Sequence, residues 1–100
     1  MRAIDLWALT ADLGPQAALK AKIGDEMLTI TGFAVDTEAN QLQLHAQKEG
    51  QPQQLAAFLR LARQPAVRRF EVRVKELERT DAPTHIIFGC KFRDRAVVLH

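Results

Sequence analysis

Residues 50–92 read GQPQQLAAFLRLARQPAVRRFEVRVKELERTDAPTHIIFGCKF and predict one helix followed by two strands. Within residues 51–63, apolar side chains such as Leu55 and Phe58 recur at helical spacing, which places them on one stripe of an amphipathic helix. Within residues 67–79 the period changes to two, because apolar and charged residues alternate. This alternation is typical of a strand with one buried face.

A second strand is predicted beyond the turn at residues 80–83. Ile86, Phe88, Cys90 and Phe92 fall on one parity of this segment, and glycine, lysine and arginine lie among the residues of the other parity. Because successive side chains of a strand point to opposite faces, we expect these four residues to face the core.

The first half of the chain shows a similar order of patterns. Pro15 suits the first turn of a short helix over residues 15–23. Residues 27–35 and 41–47 alternate as two antiparallel strands. In the first of these strands the apolar parity changes after Ile30, so we predict a β-bulge at Gly32.

This order predicts an α+β fold, a ferredoxin-like sandwich in permuted αββαββ order. Its four-stranded antiparallel sheet would carry both helices on one face. We expect an N-terminal lead-in at residues 1–13, the domain at 14–95 and a C-terminal tail at 96–100. The open face of the sheet is predicted to be polar, with Gln43, His45, Glu71, Arg73, Lys75, Lys91 and Arg93.

The composition is that of one small globular domain. The chain has 100 residues, of which 47% are hydrophobic and 26% charged, with a formal net charge of +2. A single cysteine excludes an internal disulfide. No apolar run approaches the roughly 20 residues that span a bilayer, and no signal peptide is recognisable.

The sequence contains no pattern typical of a catalytic or metal site. Cys90 and His85 lie five residues apart on one predicted strand and therefore point to opposite faces. The histidines at 45, 85 and 100 have no metal-ligand spacing, and no glycine-rich phosphate loop is present. We therefore expect no enzyme activity, cofactor or metal. We also expect no nucleic-acid partner, because the open face lacks exposed aromatic rings for base stacking.

The run from Leu55 to Leu77 resembles the periplasmic core of inner-membrane platform proteins of type IV pilus and type II secretion machines, the PilO, PilN and GspM group. The resemblance covers roughly residues 27–93 and consists of apolar positions. The matching positions are Leu55, Phe58, Leu59, Leu61 and Ala62 in the helix, Pro65 at the break, and Val67, Phe70, Val72 and Val74 in the strand.

The resemblance implies a non-catalytic interaction domain on the periplasmic side of the bacterial inner membrane. Such domains form homodimers or heterodimers with sibling platform proteins. The resemblance also implies a transmembrane anchor and a coiled-coil stalk ahead of the domain, which we expect to lie outside this chain.

Five residues are candidates for the interface. Trp7, Leu9 and Leu13 form an apolar stretch that the sandwich does not need for its core. Arg73 and Lys75 are expected on an edge strand, where they would limit indiscriminate pairing. The alternative function is a small-molecule-sensing module similar to ACT-type domains, although the chain lacks the glycine-rich turn that would hold a ligand. Nonspecific nucleic-acid binding through arginines would be weak and sensitive to salt.

Overall fold

A computed structural model describes residues 1–79 and 81–100, which form one curled sheet and two short helices. Thr80, in the predicted turn at 80–83, lies outside the described residues. The helices are α1 (Ala3–Thr10) and α2 (Leu55–Ala62). The strands of the described residues are β1 (Ala18–Ile23), β2 (Glu26–Asp36), β3 (Gln41–Gln47), β4 (Glu71–Glu76), β5 (His85–Ile86), β6 (Cys90–Arg93) and β7 (Ala96–Leu99).

The predicted ferredoxin-like fold is wrong. The described strands form a mixed sheet of seven in the order β5-β4-β3-β2-β1-β7-β6, curled into a half-barrel, instead of four antiparallel strands. Two neighbouring pairs, β3 with β4 and β1 with β7, are parallel, and the remaining pairs are antiparallel. The larger sheet arises because two segments that were predicted as a helix and a tail are strands.

The first of these segments is 15–23, which was predicted to be helical. Its residues 18–23 form β1, where Leu19 and Ala21 are buried and Lys22 is exposed. The sequence ALKAK alternates with period two as well as containing good helix formers, so local propensity is ambiguous. Pairing with β2 on one side and β7 on the other decides in favour of the strand.

The second segment is 96–100, which was expected to be a tail. Here residues 96–99 form β7, which lies between β1 and β6. Val97 and Leu99 are buried in the core. Both ends of the chain therefore contribute to the same sheet.

The strand predicted around residues 84–93 is divided into β5 and β6, which lie at opposite edges of the sheet. Residues 87–89 alone join them. Such a link spans at most about 14 Å, whereas the edges of a flat seven-stranded sheet would be about 29 Å apart. The sheet must curl until its edges approach each other. Its core face encloses one hydrophobic cluster that includes residues of β4 and β7 and the linking residue Ile87.

The predicted bulge in β2 is confirmed. The register with β3 shifts between Ile30 and Gly32, which brings both Ile30 and Phe33 to the core face. The sheet opens at this point, because the Gln53 N–H donates to the Ile30 carbonyl (N···O 2.8 Å) and the Gln53 carbonyl accepts from the Leu19 N–H (2.9 Å). The chain leading into α2 is thereby wedged between β1 and β2.

The fold consists of two αβββ halves, where the sequence predicted two αββ units. In the first half α1 precedes β1, β2 and β3, and in the second half α2 precedes β4, the broken strand β5–β6, and β7. Each helix begins against the other half: Ala3 N–H donates to the Phe70 carbonyl, and Leu55 N–H to the Ala17 carbonyl, both at 2.8 Å. Each acceptor lies one residue before the first strand of its half. The two halves therefore exchange their helices in an approximately equivalent way.

The core lies between the two helices and the core face of the sheet. Leu6 and Phe58 hold the same position in their helices and are both buried. The one buried hydroxyl of α1 is satisfied, because Thr10 Oγ1 donates to the Leu6 carbonyl (2.8 Å). The space between Leu6, Phe58 and the strands leaves no room for a water molecule, so the described core is filled by its own side chains.

Candidate functional site

The predicted apolar interface on α1 is largely occupied by the domain's own core. Trp7 and Leu13 are half-buried and pack against the hydrophobic cluster. Leu9 is 52% exposed. Of the three predicted residues, Leu9 is therefore the most accessible to a partner.

The two predicted interface charges lie elsewhere. Arg73 and Lys75 belong to β4, which is flanked by β3 and β5 and is not an edge strand. Their side chains point to the outer face, the sheet face opposite the core. Arg73 Nε donates to Glu71 Oε2 (2.7 Å), and this hydrogen bond holds the pKa of Glu71 below its usual value. The structure does not bring these charges together with α1, which packs on the core face.

The outer face is polar, as predicted, and mainly cationic. His45 of β3 pairs with Lys75 of β4. Partial burial, reinforced by the charge of Lys75, lowers the pKa of His45. Among the strand residues of this face, the carboxylates are Asp36 and Glu71, and the cations are Lys20, Lys22, Arg73, Lys75, Lys91 and Arg93.

The described residues do not assemble a catalytic or metal constellation. Cys90 in β6 and His85 in β5 lie on strands at opposite edges of the sheet, and burial raises the pKa of the Cys90 thiol. His85 Nε2 is instead 2.7 Å from Oε2 of the buried Glu76. No group of three or more His, Cys, Asp or Glu side chains in the described chain is placed to hold a metal ion. The prediction of a non-enzyme stays a prediction.

The segment between Ile86 and Phe92 exposes apolar side chains that the sequence pattern assigned to the core. Phe88 is 78% exposed, Phe92 51% and Ile86 46%, whereas Ile87 is buried. For Ile86 and Phe88 the parity was wrong because the segment is not one regular strand. Phe92 lies on the core-side face as predicted, opposite Val97, but β6 is an edge strand and leaves it half exposed. At its break, the N–H groups of Phe88 and Gly89 both donate to the His100 carbonyl (2.8 and 3.2 Å).

A groove of about 550 Å³ lies between the two halves, beside Phe92. Its wall is formed by the segment before β1, the residue before α2, and the turn between β6 and β7. A second depression of about 350 Å³ shares Gln54 with it and has Arg60 at its lining. The groove is lined by Gly14, Pro15, Gln16, Ala17, Gln54, Phe92 and Arg95.

Phe88, Phe92 and Arg95 were not among the residues predicted for the site. One signal was available: the Ile-x-Gly pattern of Ile30-Thr31-Gly32 at the β2 bulge recurs as Ile87-Phe88-Gly89. A second bulge at the later triplet would have turned Phe88 out of the core. Leu9 is exposed within the predicted interface, whereas Ile86, Phe88 and Phe92 are exposed outside it.

None of the helices that the structure describes is long and apolar enough to cross a membrane. Comparison of the chain with protein-family models, with curated proteins and with solved structures finds no match. The surfaces described above are consequently the basis for any assignment of function.

Proposed function

We propose that this chain is a non-catalytic interaction domain that associates with a second copy of itself through the segment 85–90. The observation that carries the proposal is the 78% exposure of Phe88 beside an edge strand of the sheet. A phenylalanine side chain contributes a large apolar area, so its removal from water on pairing is favourable.

The chemistry of this edge supports the proposal. The run 85–90 reads HIIFGC and contains no lysine, arginine, aspartate or glutamate. Edge strands normally carry charges or proline that discourage pairing with another chain. The run carries neither kind of residue, so the protection on this edge is the short length of β5, which has two residues. Ile86 adds a second exposed apolar side chain.

The geometry favours strand-to-strand pairing of two identical edges. β5 pairs with β4 on one side only, so its main-chain groups on the other side are available to a partner. In a twofold dimer the same patch is used by both copies, which places Phe88 of each copy near the partner's edge.

Sedimentation equilibrium of the 100-residue chain over a wide concentration range tests this proposal. We expect a concentration-dependent dimer, and Phe88→Glu should convert it to a monomer. Leu9→Glu is the matched control, because Leu9 is 52% exposed on α1 and lies outside the proposed surface. A wild-type monomer at every concentration would overturn the proposal, and so would a dimer that Leu9→Glu dissociates and Phe88→Glu does not.

Membership of a pilus or secretion platform stays a separate prediction. The resemblance that suggested it lies in the helix–strand run of α2 and β4, and the ferredoxin-like fold predicted from the order of the elements is not the fold of this chain. The periplasmic location, the anchor and the sibling partners remain predictions too. Mixing the domain with the periplasmic domain of a neighbouring gene's product and repeating the sedimentation would test them.

A further inference from the structure

The groove beside Phe92 has a backbone frame that is fixed by hydrogen bonds between separate parts of the chain. The Pro15 carbonyl accepts from the Ala56 N–H (2.8 Å), and the Arg95 carbonyl accepts from the Ala18 N–H (3.1 Å). These bonds fix the segment before β1 against α2 on one side and against the β6–β7 turn on the other. The groove is therefore formed before any partner binds, which reduces the entropy cost of binding.

The lining of the groove combines apolar area, amides and one cation. Phe92, Pro15 and Ala17 supply the apolar part, and the side-chain amides of Gln16 and Gln54 can donate to or accept from a peptide main chain. No carboxylate of the described residues lies within ion-pair distance of Arg95.

The adjoining depression continues the same chemistry. It begins at the shared Gln54, contains Pro52 and ends near Arg60, which also lacks an ion-pair partner among the described residues. Neither depression is lined by an aspartate or glutamate. The two together form an elongated surface with an arginine in each part and no negative side chain.

The equivalent place in the other half shows that the fold does not require such a groove. There Phe70 stands where the groove has Ala17, and Asn40 stands where it has Arg95. Arg2, the counterpart of Gln54, is ion-paired with Asp5 (Nε···Oδ2 3.1 Å). The equivalent place thus carries a large side chain and a neutralised charge, whereas the groove has a small side chain and an unpaired arginine.

We propose that the groove and the adjoining depression bind an extended acidic segment of a partner protein. The apolar lining would hold alternate side chains, the glutamine amides would bind its main chain, and Arg95 and Arg60 would pair with its carboxylates. An extended chain fits better than a compact small molecule, because the two arginines belong to two depressions that meet at one residue. The proposal concerns a different surface and partner from the self-association through Phe88 and does not depend on it.

A fluorescein-labelled octapeptide of alternating glutamate and proline is a suitable probe, because proline keeps it extended. Binding is measured by fluorescence anisotropy at low salt, and amide spectra of the ¹⁵N-labelled chain locate it. We expect shifts at Gly14, Gln16 and Ala17, at Gln54 and at residues 92–95. A peptide with glutamine in place of glutamate should bind about tenfold more weakly, and one with lysine should not bind.

The decisive variant is Arg95→Asn. Arg95 has a φ of 62°, and Asn40 has a φ of 54° at the equivalent turn, so asparagine can adopt this backbone without loss of fold. We expect Arg95→Asn to weaken the acidic peptide about tenfold and Phe92→Ala about fivefold. Arg63→Asn, at an exposed arginine outside both depressions, should change affinity by less than about twofold.

Three results would overturn the proposal: no binding of the acidic peptide, equal binding of the glutamine peptide, or affinity unchanged by Arg95→Asn. Phe88→Glu separates this test from the previous one. It should abolish the dimer and leave peptide binding intact. If the wild-type chain forms no dimer but still binds the peptide through Arg95, only the self-association proposal fails.

Discussion

The two αβββ halves differ in their second strand, at the bulge of β2 in the first half and at the break between β5 and β6 in the second. In the first half Thr31 occupies the bulge and is covered, since its Oγ1 accepts a hydrogen bond from Gln47 Nε2 (3.0 Å). In the second half the equivalent residue is Phe88, which is 78% exposed. The fold accommodates threonine or phenylalanine at this position. The side chain there can therefore be one that binds a partner.

The residues around the bulge are instead shared by the halves. Ile30 and Ile87 precede it, and both are buried. Gly32 and Gly89 follow it, and each lies opposite a histidine, His45 in the first half and His100 in the second. The isoleucines that the halves share are packed in the core, whereas the residue that differs, Phe88, is exposed.

The largest expected effect tests whether the two halves are one cooperative unit. Phe58→Ala should cost about 3–5 kcal/mol of unfolding free energy, and Leu6→Ala about 2–5, because both side chains are buried at equivalent helix positions. Trp7 is the single tryptophan and lies in the first half. We therefore expect Trp7 fluorescence and far-ultraviolet circular dichroism to report one coincident urea transition in each variant.

Separate transitions by the two probes would contradict this expectation. In Phe58→Ala, loss of circular dichroism ahead of Trp7 fluorescence would mean that the second half unfolds alone. The reciprocal hydrogen bonds from Ala3 to Phe70 and from Leu55 to Ala17 argue against that outcome, because each helix begins on the other half.

The second prediction concerns Gly50, which lies against the covered bulge. Its φ is 138°, and a Cβ there would approach Thr31 Cγ2 to 2.8 Å. Gly50→Ala should therefore lower the unfolding free energy by about 1–3 kcal/mol. Denaturant titration measures the loss.

Gly14→Ala is the matched control for this measurement. Nothing lies within 4 Å of a Cβ at Gly14, so we expect a change within about 1 kcal/mol. Equal losses from the two variants would mean that the close contact with Thr31 is not what constrains Gly50.

The elements that local periodicity determines were predictable from the sequence. The helix near Leu55, the strand around Val72 and the bulge at Gly32 were all found, because each has an unambiguous period or a change of period. β1 and β7 were missed. Their parallel pairing joins residues near the two ends of the chain, and a local pattern does not reveal which distant segments meet.

The exposed apolar surface was less predictable than the fold. The parity rule assigned Phe88 and Phe92 to the core, but the break in the strand turns Phe88 outward, and Phe92 is half exposed because it lies on the edge strand β6. The groove depends on Ala17, Gln54 and Arg95, which are far apart in the chain. They meet because α2 of the second half begins against the segment before β1 of the first half.

The third prediction concerns the pH dependence of stability that His45 gives to the outer face of the first half. The pKa of His45 is lowered in the folded state, so the unfolded chain binds more protons as the pH falls below about 6.5. The contribution of His45 to stability is therefore present above that pH and is lost as the pH falls through the folded pKa. Unfolding free energies measured from pH 7 to 5 should decrease less in His45→Gln.

Lys75→Gln provides the complementary measurement. Because Lys75 is the second cause of the lowered pKa, its removal should move the imidazole pKa of His45 upward in an NMR titration, by less than full exposure would. An unchanged pKa would leave burial as the whole cause.

The smallest expected effect concerns the cations that both halves place on the outer face. Lys20 and Lys22 in β1 hold the positions of Arg73 and Lys75 in β4, so the cationic character is repeated along with the fold. A repeated charge without an aromatic ring for stacking predicts only nonspecific attraction to nucleic acid. Binding of single-stranded RNA should therefore disappear by about 200 mM salt, and Lys22→Gln should reduce the salt slope by about one. Binding that persists at that salt, or that depends on RNA sequence, would contradict this prediction. It would mean that the outer face binds a specific polyanion partner.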